Sequence, residues 1–312
     1  MSDRQSPATA LAPKTSEQVV LMGAISSLCG IITRPAGDPT GLPIILLNTG
    51  IIHRVGHHRM NVTIARRYAA AGHPVIRFDF GGIGDSPVQS ETLPPLDANL
   101  ISIGEVCDWL ETNLGQSRFI LMGLCSGADH SIIYAARDPR IAGVVLVDPS
   151  IPRTFRFHVN NVARDLTRRA VWTNLATGRG RTWARIRRLA GRSGATADEE
   201  PRNEPFARPE LEHPEAVAFL EKAYQDAVDN GAEILAVFTG GHDFQHNYRR
   251  QILDALPRVK FGKQLDLHFY ADCDHTFTFE RHRERLLRLT DEWLARIMAA
   301  EQREETSRRQ IG

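Results

Sequence analysis

The sequence predicts an α/β protein with a mostly parallel central sheet flanked by helices, and three observations carry that reading. Short apolar runs of strand length recur along the chain, helical stretches separate them, and one strand-to-helix junction reads Gly123-Leu124-Cys125-Ser126-Gly127. Strands covered on both faces read as continuous apolar segments, and their alternation with helices implies right-handed crossovers.

Taken in order, Gln18 to Thr33 reads as an antiparallel hairpin. Ile44 to Leu47, Val75 to Phe80, Phe119 to Met122, Val144 to Val147, Ile234 to Phe238 and Leu265 to Tyr270 then read as buried strands. Helical patterns cover Met60 to Ala71, Leu100 to Asn113, Ala128 to Arg137 and Pro214 to Val228, with a last helix from Arg281. The alternation breaks from Ile151 to Asn230, where a helix-rich insertion carries eleven arginines between Arg153 and Arg192, then an acidic, proline-rich linker from Ala197 to Pro209. The expected organisation is therefore an extended or disordered segment at 1–16 and a core at 17–150 and 231–300. A helical, arginine-rich lid inserts at 151–230, and a charged tail follows at 301–312, frayed or extending the last helix.

Composition narrows the function classes. At 312 residues with a formal net charge of +1, the chain has no overall pull toward nucleic acid. Cys29, Cys107, Cys125 and Cys273 lie far apart with no C-x-x-C pair, which argues against a disulfide framework or a zinc knuckle and fits a reducing, cytoplasmic setting. Met1 to Ser16 lacks the apolar core of a secretory signal, and no run is long and apolar enough to span a bilayer. No cofactor is implied.

The junction at residues 123–127 is the most informative stretch. In a G-x-Nu-x-G turn the central residue sits at a strained strand-to-helix corner, and both flanking positions are glycine because a side chain there would clash. That register selects Cys125. Ser126 as nucleophile would have Leu124 and Ala128 in the crowded positions. Cys29, Cys107 and Cys273 lack this context and read as small core residues.

With that turn and two elements downstream of it, the chain from about Val19 to Ala299 resembles the α/β-hydrolase superfamily, variant with a cysteine nucleophile. The resemblance implies an α/β-hydrolase fold with a helical lid, and a nucleophile, acid and histidine in that chain order. The positions that match are Cys125, Asp243 after the strand Ile234 to Phe238, and His275 after the strand Leu265 to Tyr270. Asp148, after the strand Val144 to Val147, is the alternative acid, at a position some members use. The oxyanion donors implied are the backbone N–H of Ser126 and of Ile51, with Ile52 as second choice. Members commonly have His-Gly in that loop, where this chain has Thr49-Gly50.

The remaining candidates lie around these positions. Asp79 to Ser86 lacks dinucleotide and P-loop spacing and reads as a structural glycine turn. His53, His57 and His58, and His242, Asp243 and His246, lack metal-ligand spacing, so no metal site is expected. Arg54 and Arg59 are candidates for gripping a substrate carboxylate or phosphate. Their loop is loosely similar to one in bacterial exopolysaccharide- and exosortase-associated hydrolases.

The basic insertion reads as an amphipathic helix with Phe155, Val159, Val162 and Leu166 inward and arginines in solvent. The alternative is a landing surface for an acidic partner such as an acyl carrier protein, coenzyme A or a polyanionic glycan. The expected function is hydrolysis of a carboxylic ester, lactone or thioester through a Cys125 thioester. The alternatives are transfer of the acyl group to a non-water acceptor and, in another class, a non-catalytic binding protein of the same fold.

Overall fold

The computed structural model describes residues 15–25, 27–88, 92–167 and 209–311. Eight strands, β1 (Ser16–Met22), β2 (Leu28–Arg34), β3 (Ile44–Leu46), β4 (Val75–Phe78), β5 (Phe119–Leu124), β6 (Ile141–Val147), β7 (Glu233–Thr239) and β8 (Leu265–Tyr270), form one sheet. Their order is β1-β2-β4-β3-β5-β6-β7-β8, with β2 antiparallel to both neighbours and every other pairing parallel. This is the mostly parallel sheet of the α/β-hydrolase fold.

Alternation within the apolar runs builds two cores. Ile45, Leu121, Leu146 and Ala236 face one side, with α2 (Pro95–Leu114), α3 (Ser126–Ala135) and α5 (Pro214–Asp229) packed over them. Ile44, Ile120, Met122, Val145 and Leu235 face the other, under α1 (Met60–Ala70) and α7 (Glu280–Ile311). Both faces of the central strands are thereby buried, so β5 and β6 have no polar alternation. The short helices α4 (Phe155–Thr167) and α6 (Gln251–Ala255) lie in the connections after β6 and β7.

Boundaries moved where local chemistry intervened. The run expected to reach Phe80 ends as a strand at Phe78, because Asp79 turns the chain and the Phe80 N–H donates to the Asn48 side chain at 2.9 Å. Helix α2 starts five residues before Leu100, with proline in its first turn, and stops at Gly115, whose φ of 66° is left-handed. Helix α7 runs on through most of the charged tail to Ile311.

The orientation expected for α4 is reversed. Phe155, Val159 and Val162 are 86, 47 and 60 % exposed, whereas Phe157 is buried. The polar side of the helix is the anchored one: Asn247 donates to Asn161 at 2.9 Å and to the Phe157 carbonyl at 3.0 Å, and accepts from Asn160 at 3.2 Å. The rest of the arginine-rich stretch, from Arg168 to Arg192, and the linker up to Arg208 lie outside the described residues, as does most of the 1–16 segment.

Candidate active site

The strands β5, β6, β7 and β8 deliver their C-terminal ends to one edge of the sheet, where open α/β sheets hold ligands. At the end of β5 the chain turns into α3 through Cys125, which adopts φ 56° and ψ −121°. A non-glycine residue pays for such a backbone with strain and keeps it only when its surroundings over-determine it. They do here. The Cys125 N–H donates to the Val147 carbonyl at 2.8 Å, and its own carbonyl accepts the Ala128 N–H at 2.9 Å. A Cβ on Gly123 would lie 2.1 Å from the Gly127 backbone, and one on Gly127 would lie 2.6 Å from the Asn48 carbonyl oxygen. The two glycines therefore let strand, helix and the loop after β3 converge on the half-buried Cys125.

His275 follows β8, with the Cys125 side chain near enough on one side to raise its pKa. On the other, its Nδ1 lies 2.7 Å from Oδ2 of Asp148. Burial draws the imidazole pKa down, but the hydrogen bonds to Asp148 and Cys125 outweigh it and push the value up to about 9. Asp148 stands directly after β6 with a left-handed φ of 47°. Its carboxylate is wholly buried, which opposes ionisation, yet the neighbouring imidazoles of His246 and His275 hold its pKa far below the ordinary carboxylate range. Thr239 adds a backbone N–H and a hydroxyl, each at 2.6 Å.

The acid expected at Asp243 is therefore replaced in position by Asp148. Asp243 sits past the turn Gly240–His242, its side chain 45 % exposed, and pairs with Arg164 of α4 at 2.6 Å. What fills the space beside His275 on that side is the ring of His242, tilted by 31° against it with centroids 4.1 Å apart. His242, His246 and Thr239 were not singled out as parts of this arrangement by the sequence. Their signal in the sequence is the clustering of two histidines just beyond a strand end.

The loop after β3 lies across the top of the turn. Asn48 fixes it by donating to the Ile52 carbonyl at 2.9 Å and to Asp79 at 3.3 Å. The Gly50 N–H is taken by the Ser126 hydroxyl at 2.7 Å, and the Ile52 N–H by the Thr49 carbonyl at 2.9 Å. Ser126 thus serves to hold this loop. Ile51 is 88 % exposed, and its backbone N–H is taken by none of the hydrogen bonds among the described residues.

Arg54 is not available to a substrate. Its backbone N–H donates to Asp79 at 2.5 Å, and its guanidinium bridges Asp79 and Asp85. The Asp79 to Ser86 stretch is accordingly a structural turn clamped by an arginine, with Ser86 donating to the Asp79 carbonyl at 2.7 Å. Arg59 is exposed, in a left-handed conformation at the start of α1. His57 stands nearer the centre: burial, then the charges of His275 and His58, lower its pKa.

Two groups of described side chains bring three potential metal donors within 4.8 Å, namely Asp148, His242 and His275, and Cys273, Asp274 and His282. In the first, Asp148 and His275 are each other's hydrogen-bond partners. In the second, the Asp274 carboxylate caps the following turn by accepting from Thr276 and Thr278. Cys29, Cys107 and Cys273 are buried, as expected of core thiols.

A family model described as alpha/beta hydrolase fold matches residues 43–227, and the chain belongs to that family. Fold and family together define an α/β-hydrolase-fold enzyme. Among solved structures, the chain is similar to a proline iminopeptidase of Mycobacterium smegmatis, at 16% identity over 92% of this chain and 100% of that one, with a TM-score of 0.54. It is also similar to an esterase of Pyrococcus furiosus, at 14% identity over 96% of each chain and a TM-score of 0.55. A dienelactone hydrolase of Anabaena variabilis aligns at 15% identity over 91% of this chain and 98% of that one, with a TM-score of 0.53. At these identities the likeness is one of fold. No curated protein matches the chain. Among the described residues no helix is long and apolar enough to cross a membrane.

Proposed function

We propose that the protein is a hydrolase of a carboxylic ester, lactone or thioester that works through a covalent thioester on Cys125, with His275 as base and Asp148 as acid. The observation that carries this reading is the continuous line of contacts from the Cys125 thiol through His275 to a buried, ionised Asp148. A binding module of the same fold has no use for a strained cysteine at this corner.

The raised pKa of His275 places the thiol proton on its Nε2 before the first step, in which the Cys125 thiolate attacks the carbonyl carbon and a C–S bond forms. Asp148 accepts from Nδ1–H, which fixes the tautomer and stabilises the imidazolium. The backbone N–H groups of Ser126 and Ile51 receive the negative oxygen of the tetrahedral intermediate. Its collapse breaks the bond to the leaving group, which takes the proton from His275. Water then attacks the thioester, giving its proton to His275, and the second collapse restores the thiolate and releases the acid.

Incubation with p-nitrophenyl esters tests this by the mass of the protein. An acyl adduct on Cys125 that decays in water, absent in Cys125→Ala, is the expected result. No adduct on Cys125 in the folded protein would remove the reading. Decay strongly accelerated by added amines or alcohols would instead make the enzyme an acyltransferase, with coenzyme A or a carrier protein among the acyl donors to try.

A further inference from the structure

The segment Thr239-Gly240-Gly241-His242 touches both groups that serve the thiol. Thr239 gives Asp148 its backbone N–H and its hydroxyl, each at 2.6 Å. The two glycines press against the loop that carries His275. A Cβ on Gly240 would lie 2.1 Å from the Ala271 carbonyl oxygen, and one on Gly241 would lie 2.6 Å from the Asp274 Cα and 2.8 Å from the His275 backbone nitrogen. In that close approach the Gly241 N–H donates to the Cys273 carbonyl at 2.9 Å. His242 then lays its buried ring beside that of His275, with centroids 4.1 Å apart and planes 31° apart. The same ring packs against Phe244 at 4.2 Å and His246 at 5.3 Å between centroids.

We propose that His242 is a positioning residue for the reaction at Cys125: its ring is the wall that holds the His275 imidazole in one plane between Asp148 and the thiol. This rests on the triad reading above. The hydrogen bond from Nδ1 to Asp148 fixes one point of the His275 ring. It leaves the ring able to pivot about the bond that joins it to Cβ, because a torsion onto an sp² ring has broad wells and supplies little resistance of its own. A flat contact on the face of the ring stops that pivot. The wall is firm for two reasons. Its own ring is buried among other rings, where close packing leaves no room to yield, and its backbone is seated on the His275 loop through Gly240 and Gly241. The plane of the imidazole matters because the paired imidazolium is what keeps a cysteine as thiolate near neutral pH.

The experiment measures how fast iodoacetamide alkylates Cys125 in the full chain, with the modified cysteine mapped by mass spectrometry, and then ester kinetics on the same variants. His242→Ala should slow alkylation about tenfold near pH 7, since a thiol without its imidazolium is only a few per cent thiolate there. It should lower kcat for a p-nitrophenyl ester by a similar factor and leave KM within about twofold. His242→Phe, which keeps a flat ring, should recover most of both rates, whereas His242→Leu, which fills the space without a flat face, should stay several-fold slower. Alkylation that is unchanged or faster in folded His242→Ala, a His242→Phe as slow as His242→Ala, or a loss confined to KM would each overturn the proposal. Should circular dichroism find His242→Ala unfolded, the pair His242→Phe and His242→Leu decides, and equal alkylation rates in the two would overturn it. Failure of the hydrolase reading is a separate result, the lack of an acyl adduct on Cys125 in the wild type, and the alkylation rates then decide alone.

Discussion

Asp148 and Asp243 each follow a strand of the sheet, and their surroundings could hardly differ more. Asp148 comes directly off β6, wholly buried, with donors from Thr239 and His275 converging on it and Nε2 of His246 3.1 Å away. Asp243 lies one short turn beyond β7, half exposed, with the guanidinium of Arg164 as its partner. A carboxylate oriented by several fixed donors in a dry site can hold an imidazole in one tautomer and stabilise its charge. An exposed pair with a long side chain is screened and mobile, and contributes little. The difference teaches that where a strand ends relative to its neighbours, rather than a residue's place in the sequence, sets which carboxylate meets His275.

The largest effect that bears on this contrast is loss of the nucleophile. Cys125→Ala should lower ester turnover by about 10⁴-fold or more with the fold intact by circular dichroism, and without that loss neither carboxylate has a triad to serve. Asp148→Asn should lower kcat on the order of 10³-fold, because the amide no longer accepts as a carboxylate and His275 can take the wrong tautomer. A small effect there, with a large one in Asp243→Asn, would transfer the role to Asp243.

The same contact has a signature in stability. The folded pKa of His275 is raised from 6.5 to about 9, so its contribution is full below about pH 6.5 and is lost as pH rises through about 9. Urea midpoints of the wild type should fall across that window, by on the order of 2–3 kcal/mol at most, and the fall should flatten in Asp148→Asn. Gly127→Ala should cost about 1–3 kcal/mol in the same measurement, since its Cβ would press on the Asn48 carbonyl. The smallest effect belongs to the exposed pair: Asp243→Asn and Arg164→Ala should each change kcat by less than about threefold and the urea midpoint hardly at all.

Much of this arrangement was legible beforehand. Apolar runs located the central strands β3, β5, β6 and β7, because a strand buried on both faces is apolar along most of its length. The spacing of Gly123 and Gly127 picked out Cys125, since both contacts that exclude a side chain there are with local backbone or the neighbouring loop. The acid was not decided in the same way. The sequence favours Asp243 and leaves Asp148 as the alternative, and only the sheet order sets Asp148 between the nucleophile turn and Thr239. Arg54 failed as a substrate ligand for a like reason, as Asp79 and Asp85 reach it from the turn after β4. The inward face of α4 was misread because three asparagines, Asn160, Asn161 and Asn247, anchor its polar side.

By itself the sequence determined the class of fold and singled out Cys125 at the strand-to-helix corner, since periodicity and steric exclusion are properties of neighbouring residues. The tertiary structure decided which carboxylate serves His275, which arginine is already spent, and that two further histidines crowd the same acid. Those outcomes depend on distances between strand ends remote in the chain, which is information that pairing and packing create.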